Sequence, residues 1–166
     1  MEKIKVAVNA TLLHSKGAGL HRYTREVLKK LTEGLCKDAL NMDFKVITPD
    51  TSLESDWKAK IIQTSQLVSP SLGTKGNAFR LLWCQTLLPL LLLREKIDVF
   101  YSPVPEGSIM PFVRQVITVH DLIPLKFPDV HPRMKLYFEY VLPLLLKASS
   151  AIIVISESTK RSPRAL

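Results

Sequence analysis

Val116-Ile117-Thr118-Val119-His120-Asp121-Leu122-Ile123-Pro124 decides how this chain is read, because a short apolar run ends abruptly in a His-Asp pair followed by proline. Four consecutive apolar or β-branched residues suit a strand covered on both faces, as in a parallel sheet, and Pro124 argues against continuing the run as a helix. In an open α/β sheet, ligands collect outside the carboxyl ends of the strands. A polar pair placed there faces the expected site, which makes His120 the leading functional candidate. The plainer reading also stands: a histidine at a strand end is often a hydrogen-bonded structural residue, and Asp121 can serve only to open the turn.

The bounds of the chain agree with a folded enzyme-sized unit. With 166 residues, 46% of them apolar, it can bury one sizeable core, and residues 1–166 read as a single domain. Cys36 and Cys84 sit in apolar helical patterns without metal-ligand or disulfide-framework spacing, so no metal is expected and a reducing compartment is. The opening MEKIKVAVNATLL carries Glu2 and Asn9 and runs into a glycine-containing loop, unlike a signal peptide. The longest apolar run, Leu81 to Leu93, contains Gln85 and Pro89 and falls short of the roughly 20 residues of a bilayer span. A cytoplasmic protein is expected. The net charge of +8 fits anionic lipid, nucleic acid or phosphorylated substrates. No aromatic-interleaved basic stripe, zinc-finger spacing or RNP-like motif accompanies it, so nucleic acid is not an expected partner.

Outward from the His-Asp run, strands and helices alternate. Ile4 to Val8 reads as the first strand, followed by a loop and a helix from Gly19 to Cys36. Leu20, Tyr23, Val27, Leu28, Leu31 and Leu35 would form the buried face of that helix. Gly17 and Gly19 flank its start, where free N–H groups favour an anion and glycine allows close approach to the backbone. The pair fails the dinucleotide fingerprint, since Arg22 occupies the place of the third glycine; Asp50, after a second strand at Phe44 to Thr48, lies far downstream for a ribose-binding acid. No P-loop sequence occurs. A polar stretch to Asn77 with a short strand near Ile61 and Ile62 leads into a helix from Ala78 to Arg94, expected to be deeply buried and kinked or broken at Pro89.

Further strands are expected at Asp98 to Tyr101 and Ala151 to Ile155, with the loop from Ser102 to Gly107 at a carboxyl end. Between them, a helix from Pro132 to Lys147 should bend at Pro143 and bury Met134, Tyr137, Phe138, Val141 and Leu145. Ser156-Glu157-Ser158-Thr159 supplies residues that cap a final helix. The architecture implied is an α/β, Rossmann-like, doubly wound and mostly parallel sheet.

Three stretches, GAGLHRYTREVL, VITVHDLIPLKFP and AIIVISESTKR, together resemble the amino-terminal half of family 4 glycosyltransferases of the two-domain GT-B fold, in the family's order. The resemblance implies the acceptor-side domain of a retaining, metal-independent enzyme that needs no cofactor and moves a sugar from a nucleotide-sugar donor to a glycan, lipid or small-molecule acceptor. It implies that Gly17 and Gly19 pack against the reacting sugars and the donor diphosphate, with Arg22 and Tyr23 matching a family Arg-Tyr pair. His120 would contact the transferred sugar, positioning it and stabilising charge, and Asp121 would orient the loop or the imidazole. Arg80 and Trp83 match a recurring R-x-x-W segment, and Arg80 would hold an acceptor phosphate or hydroxyl, a surface arginine being the other reading. Asn9-Ala10-Thr11 departs from the Asp-Ala-Arg of many members. The carboxy-terminal donor-binding domain is expected to be missing from this chain, which alone should be inactive. Two other classes stay open: a non-catalytic acceptor-binding module or one resting on an anionic membrane's inner face, and a dinucleotide-dependent oxidoreductase.

Overall fold

A computed structural model describes residues 3–13, 19–32, 41–50, 59–127, 129 and 132–161. Gly17, Cys36 and Trp57 lie outside the described residues, as does the expected end of the first helix beyond Thr32. The chain forms β1 (Ile4–Asn9), α1 (Gly19–Thr32), β2 (Met42–Thr48), β3 (Lys60–Gln63), α2 (Gly73–Arg94), β4 (Val99–Ser102) and β5 (Arg114–Val119). Next come α3 (Ile123–Lys126), α4 (Pro132–Leu136), a π-helical turn (Tyr137–Val141), α5 (Leu142–Ala148), β6 (Ala151–Val154) and α6 (Glu157–Lys160).

All six strands join one parallel sheet in the order β3-β2-β1-β4-β5-β6. Parallel neighbours require crossovers, and helices pack on both faces of the sheet, giving a doubly wound α/β fold. Leu28 of α1 packs against Val6, Val8, Phe44 and Val46 on one face. On the other, Trp83, Cys84, Leu88 and Leu92 of α2 pack against Ala7, Ile47, Ile62 and Phe100. Leu142, Leu145 and Leu146 close the core over Ile117 and Val119. The strand order reverses between β1 and β4, and the carboxyl ends of these two strands mark the usual place for a ligand in such sheets.

Several local expectations are corrected. In α1 the fully buried residues are Thr24, Leu28 and Thr32, whereas Leu20 is exposed because it stands over a cavity rather than the sheet. Thr32 satisfies its hydroxyl on the Leu28 carbonyl at 2.9 Å, which lets a polar residue occupy a core position. The second long helix starts at Gly73, after two short 3-10 turns, and continues through Pro89 without a break. Leu88 and Leu92, both in the core, anchor it on either side of the proline.

Nor is that helix deeply buried all round. Phe79, Leu82, Leu90 and Leu93 form an exposed apolar stripe, with Leu82 59% and Leu90 57% accessible. By length and composition Pro70–Arg94 is apolar enough to cross a membrane, contrary to the count made from Leu81 to Leu93 alone. In this fold its opposite face forms sheet-packed core.

The bend expected at Pro143 is a π-helical turn one turn earlier, in which Leu142 N–H donates to the Tyr137 carbonyl. Proline has no N–H to give and its ring crowds the carbonyl four residues back, and a wider turn relieves both. The extra residue rotates α5 about the helix axis. Leu142 is therefore fully buried where Val141 was expected, and Met134 is exposed.

Gly76 fixes how closely α2 approaches the preceding turn. A Cβ there would lie 2.2 Å from the Ser69 carbonyl oxygen, a backbone atom that cannot swing aside. Gly76→Ala is thus expected to lower stability by about 1–3 kcal/mol through overpacking, despite the ~1 kcal/mol by which alanine favours a helix over glycine. A urea midpoint at or above that of the parent would refute this tight contact.

Candidate functional site

His120 immediately follows β5, at its carboxyl end, and is held from three sides by distant parts of the chain. Its Nε2 lies 2.8 Å from the Pro103 carbonyl, in the loop after β4. A carbonyl only accepts, so Nε2 carries the proton and, in the neutral ring, Nδ1 is left as an acceptor. The Tyr23 ring from α1 meets the imidazole edge to face at 4.6 Å. The Thr159 hydroxyl of α6 donates to the His120 carbonyl at 3.1 Å, and Ser156 caps that short helix as its residue type suggests. Tyr101 and Thr118 join their hydroxyls at 3.2 Å on the same side of the sheet as Tyr23. Burial, with hydrogen bonding to Tyr23 in the same direction, pushes the Tyr101 hydroxyl up to about 12. The Tyr101 phenol is therefore a neutral hydrogen-bonding group.

The imidazole also lines a small polar cleft of about 180 Å³ with Asp121, Lys126, Ser156, Ser158 and Thr159. Asp121 is exposed, and its Oδ1 accepts from the Ile123 N–H at 3.0 Å. That bond fastens the turn that leaves β5. Among the described residues no metal-binding cluster of His, Cys, Asp or Glu occurs.

A larger cavity of about 400 Å³ occupies the crevice between the β1 and β4 loops, walled by Leu12, Leu20, Leu81, Val104, Met134 and Phe138. Asn9 pins its edge, accepting from the Thr11 N–H and hydroxyl at 3.1 and 2.7 Å and donating to Ser102 at 3.1 Å. The departure from Asp-Ala-Arg therefore builds a turn that ties β1 to β4. Two glutamines clamp the far loop: Gln85 bonds Gly107 and Ile109 at 2.8 and 2.9 Å, and Gln115 bonds the Ser108 N–H and carbonyl at 2.9 and 3.0 Å. A Cβ on Gly107 would meet Gln115 Oε1 at 2.5 Å, so glycine is needed beside that clamp.

Arg80 lies at this cavity, but neither as a free anion receptor nor as a surface residue. It is 3% accessible and paired with Glu106, Nε to Oε2 at 2.7 Å and Nη2 to Oε1 at 2.9 Å. Nη2 also reaches Asn77 Oδ1 at 3.1 Å. Burial opposes the charge, and the Glu106 carboxylate more than offsets it, raising the guanidinium above its ordinary value. Glu106 was not singled out from the sequence; the available signal was an acidic residue between Pro105 and Gly107 in a carboxyl-end loop. Trp83 belongs to the core, and burial raises the Cys84 thiol well above its usual range, which makes it an unreactive structural thiol.

The remaining candidates divide. Arg22 is exposed on α1, one residue before Tyr23, and Gly19 is exposed at the helix start. Gly19 has no left-handed φ, and an added Cβ would meet nothing within 4 Å, so the fold itself does not demand glycine there. The sequence matches no known protein-family model and no curated protein.

Proposed function

We propose that this chain is the acceptor-side domain of a retaining glycosyltransferase that takes sugar from a nucleotide-sugar and works with a donor-binding domain. The observation that carries the reading is the convergence on His120: the stretches containing Tyr23, His120 and Thr159, chosen on sequence alone, touch one another there. The proposed role of His120 is to position the transferred sugar and to stabilise developing charge, not to attack it. Gly17 before α1, with Gly19 and Arg22 in its first turn, would meet the donor's diphosphate. No metal or cofactor is invoked.

The test joins the 166-residue chain to the donor-binding domain of a family 4 enzyme. The chain alone is expected to unfold cooperatively and transfer nothing; the joined protein is expected to release nucleotide from a sugar-nucleotide in an acceptor-dependent way. Transfer by the isolated chain, or no acceptor-dependent release from a well-folded joined protein across a donor panel, would reject the proposal.

A second reading, a dinucleotide-dependent oxidoreductase, draws on the strand order β3-β2-β1-β4-β5-β6, which dinucleotide-binding sheets share. Against it stands Arg22 in the place of the fingerprint's third glycine. Saturable quenching or enhancement of reduced nicotinamide fluorescence by this chain would favour it.

A further inference from the structure

We propose that the cavity walled by Leu12 and Leu20 on one side and by the β4–β5 loop on the other binds an uncharged, largely apolar ligand that carries a hydroxyl, and that Arg80 helps form its wall instead of capturing an anion. On the glycosyltransferase reading this ligand is the acceptor's apolar portion; the binding itself does not depend on that reading. A cavity of about 400 Å³ has the size of a small-molecule site, and its walls are mostly aliphatic and aromatic. Among the described residues that line it, only Arg80 and Glu106 are charged, and they neutralise each other through paired hydrogen bonds at 2.7 and 2.9 Å.

An anionic headgroup would have to take Arg80 from Glu106 and leave a largely desolvated carboxylate, 12% accessible, unpaired, which is costly. The remaining polar groups suit a hydroxyl. Asn77 uses its Oδ1 for Arg80 and keeps its amide Nδ2 as a donor, while Tyr137 donates to the Pro105 carbonyl and presents its ring. The cavity lies beside His120 along the chain on both sides: Leu20 is one helical turn before Tyr23, and Val104 follows the Pro103 carbonyl that holds the imidazole. The same two elements, α1 and the loop after β4, thus carry both part of the cavity wall and two of the contacts of His120.

The experiment titrates the full chain with n-decanol and with decanoate, which share chain length and differ in charge, and with inorganic phosphate. Decanol is expected to bind saturably, decanoate roughly tenfold or more weakly because its charge would be buried unpaired, and phosphate not measurably. Ala78→Trp, on an exposed residue at the cavity wall, should abolish decanol binding without unfolding the protein, whereas Leu90→Glu on the exposed stripe of α2 should leave it unchanged. In Glu106→Gln, which keeps the shape but unpairs Arg80, the preference should turn toward decanoate; if that variant does not fold, the Ala78 and Leu90 variants still decide. Equal or tighter binding of decanoate by the parent, or decanol binding that survives Ala78→Trp and is lost in Leu90→Glu, overturns the proposal. Such a failure would leave nucleotide release by the joined protein as a separate test of the enzyme reading.

Discussion

With His120 replaced by glutamine in the chain joined to a donor-binding domain, turnover is expected to fall by roughly 10²–10³-fold while the unfolding midpoint stays near that of the parent. Glutamine can still donate to the Pro103 carbonyl, which Nε2 does at 2.8 Å, but it offers no ring nitrogen in place of Nδ1. His120→Ala, by contrast, loses that bond and the edge-to-face contact with Tyr23, each worth about 0.5–1.5 kcal/mol, so it should reduce both turnover and stability. Measuring the pair of variants separates the two roles of the residue. Should the glutamine variant turn over normally while the alanine variant is merely less stable, His120 is a structural histidine and the proposed chemistry is gone.

Removing the Glu106 side chain should be the most damaging single change to the fold itself. Glu106→Ala is expected to cost about 3–5 kcal/mol, because it leaves the Arg80 guanidinium buried without its counter-charge. Replacing both partners together, Arg80→Met with Glu106→Leu, should cost far less than the sum of the single changes, since no unpaired charge remains. Denaturant unfolding of the parent, Arg80→Met, Glu106→Leu and the double variant closes the cycle and gives the coupling directly. Additive losses would mean that the two side chains do not depend on each other in solution.

The alternation of strands and helices was legible because buried parallel strands are short apolar runs, and Ile4–Asn9, Met42–Thr48 and Arg114–Val119 all contain the predicted ones. The carboxyl-end placement of His120 came from the same pattern. What periodicity missed has particular causes. The π-helical turn before Pro143 adds a residue and moves the buried position from Val141 to Leu142, a shift invisible to a count at fixed spacing. The wide apolar surface of α2 suggested complete burial, yet only one side meets the sheet and Leu82 and Leu90 face outward. The Arg80–Glu106 pair joins a helix to a loop 26 residues away, and no local rule links two charges at such a distance. Arg80 therefore read as a ligand contact or a surface charge, and burial against Glu106 corrects the second of these.

The bonds around the crevice also carry a consequence for how the molecule reaches its folded state. Asn9 and Ser102, which tie its two lips, are 93 residues apart; Thr159 and His120 are 39 apart. Closing such long loops costs chain entropy before any contact compensates for it, and sheets paired in parallel already fold slowly for that reason. The two walls of the cavity come together only when β1 and β4 lie side by side, after the chain has been made past Ser102. A nascent chain ending before Ser102 can have a nucleus of helix and strand, but it has no crevice, so ligand binding acts as a late signature of the completed fold.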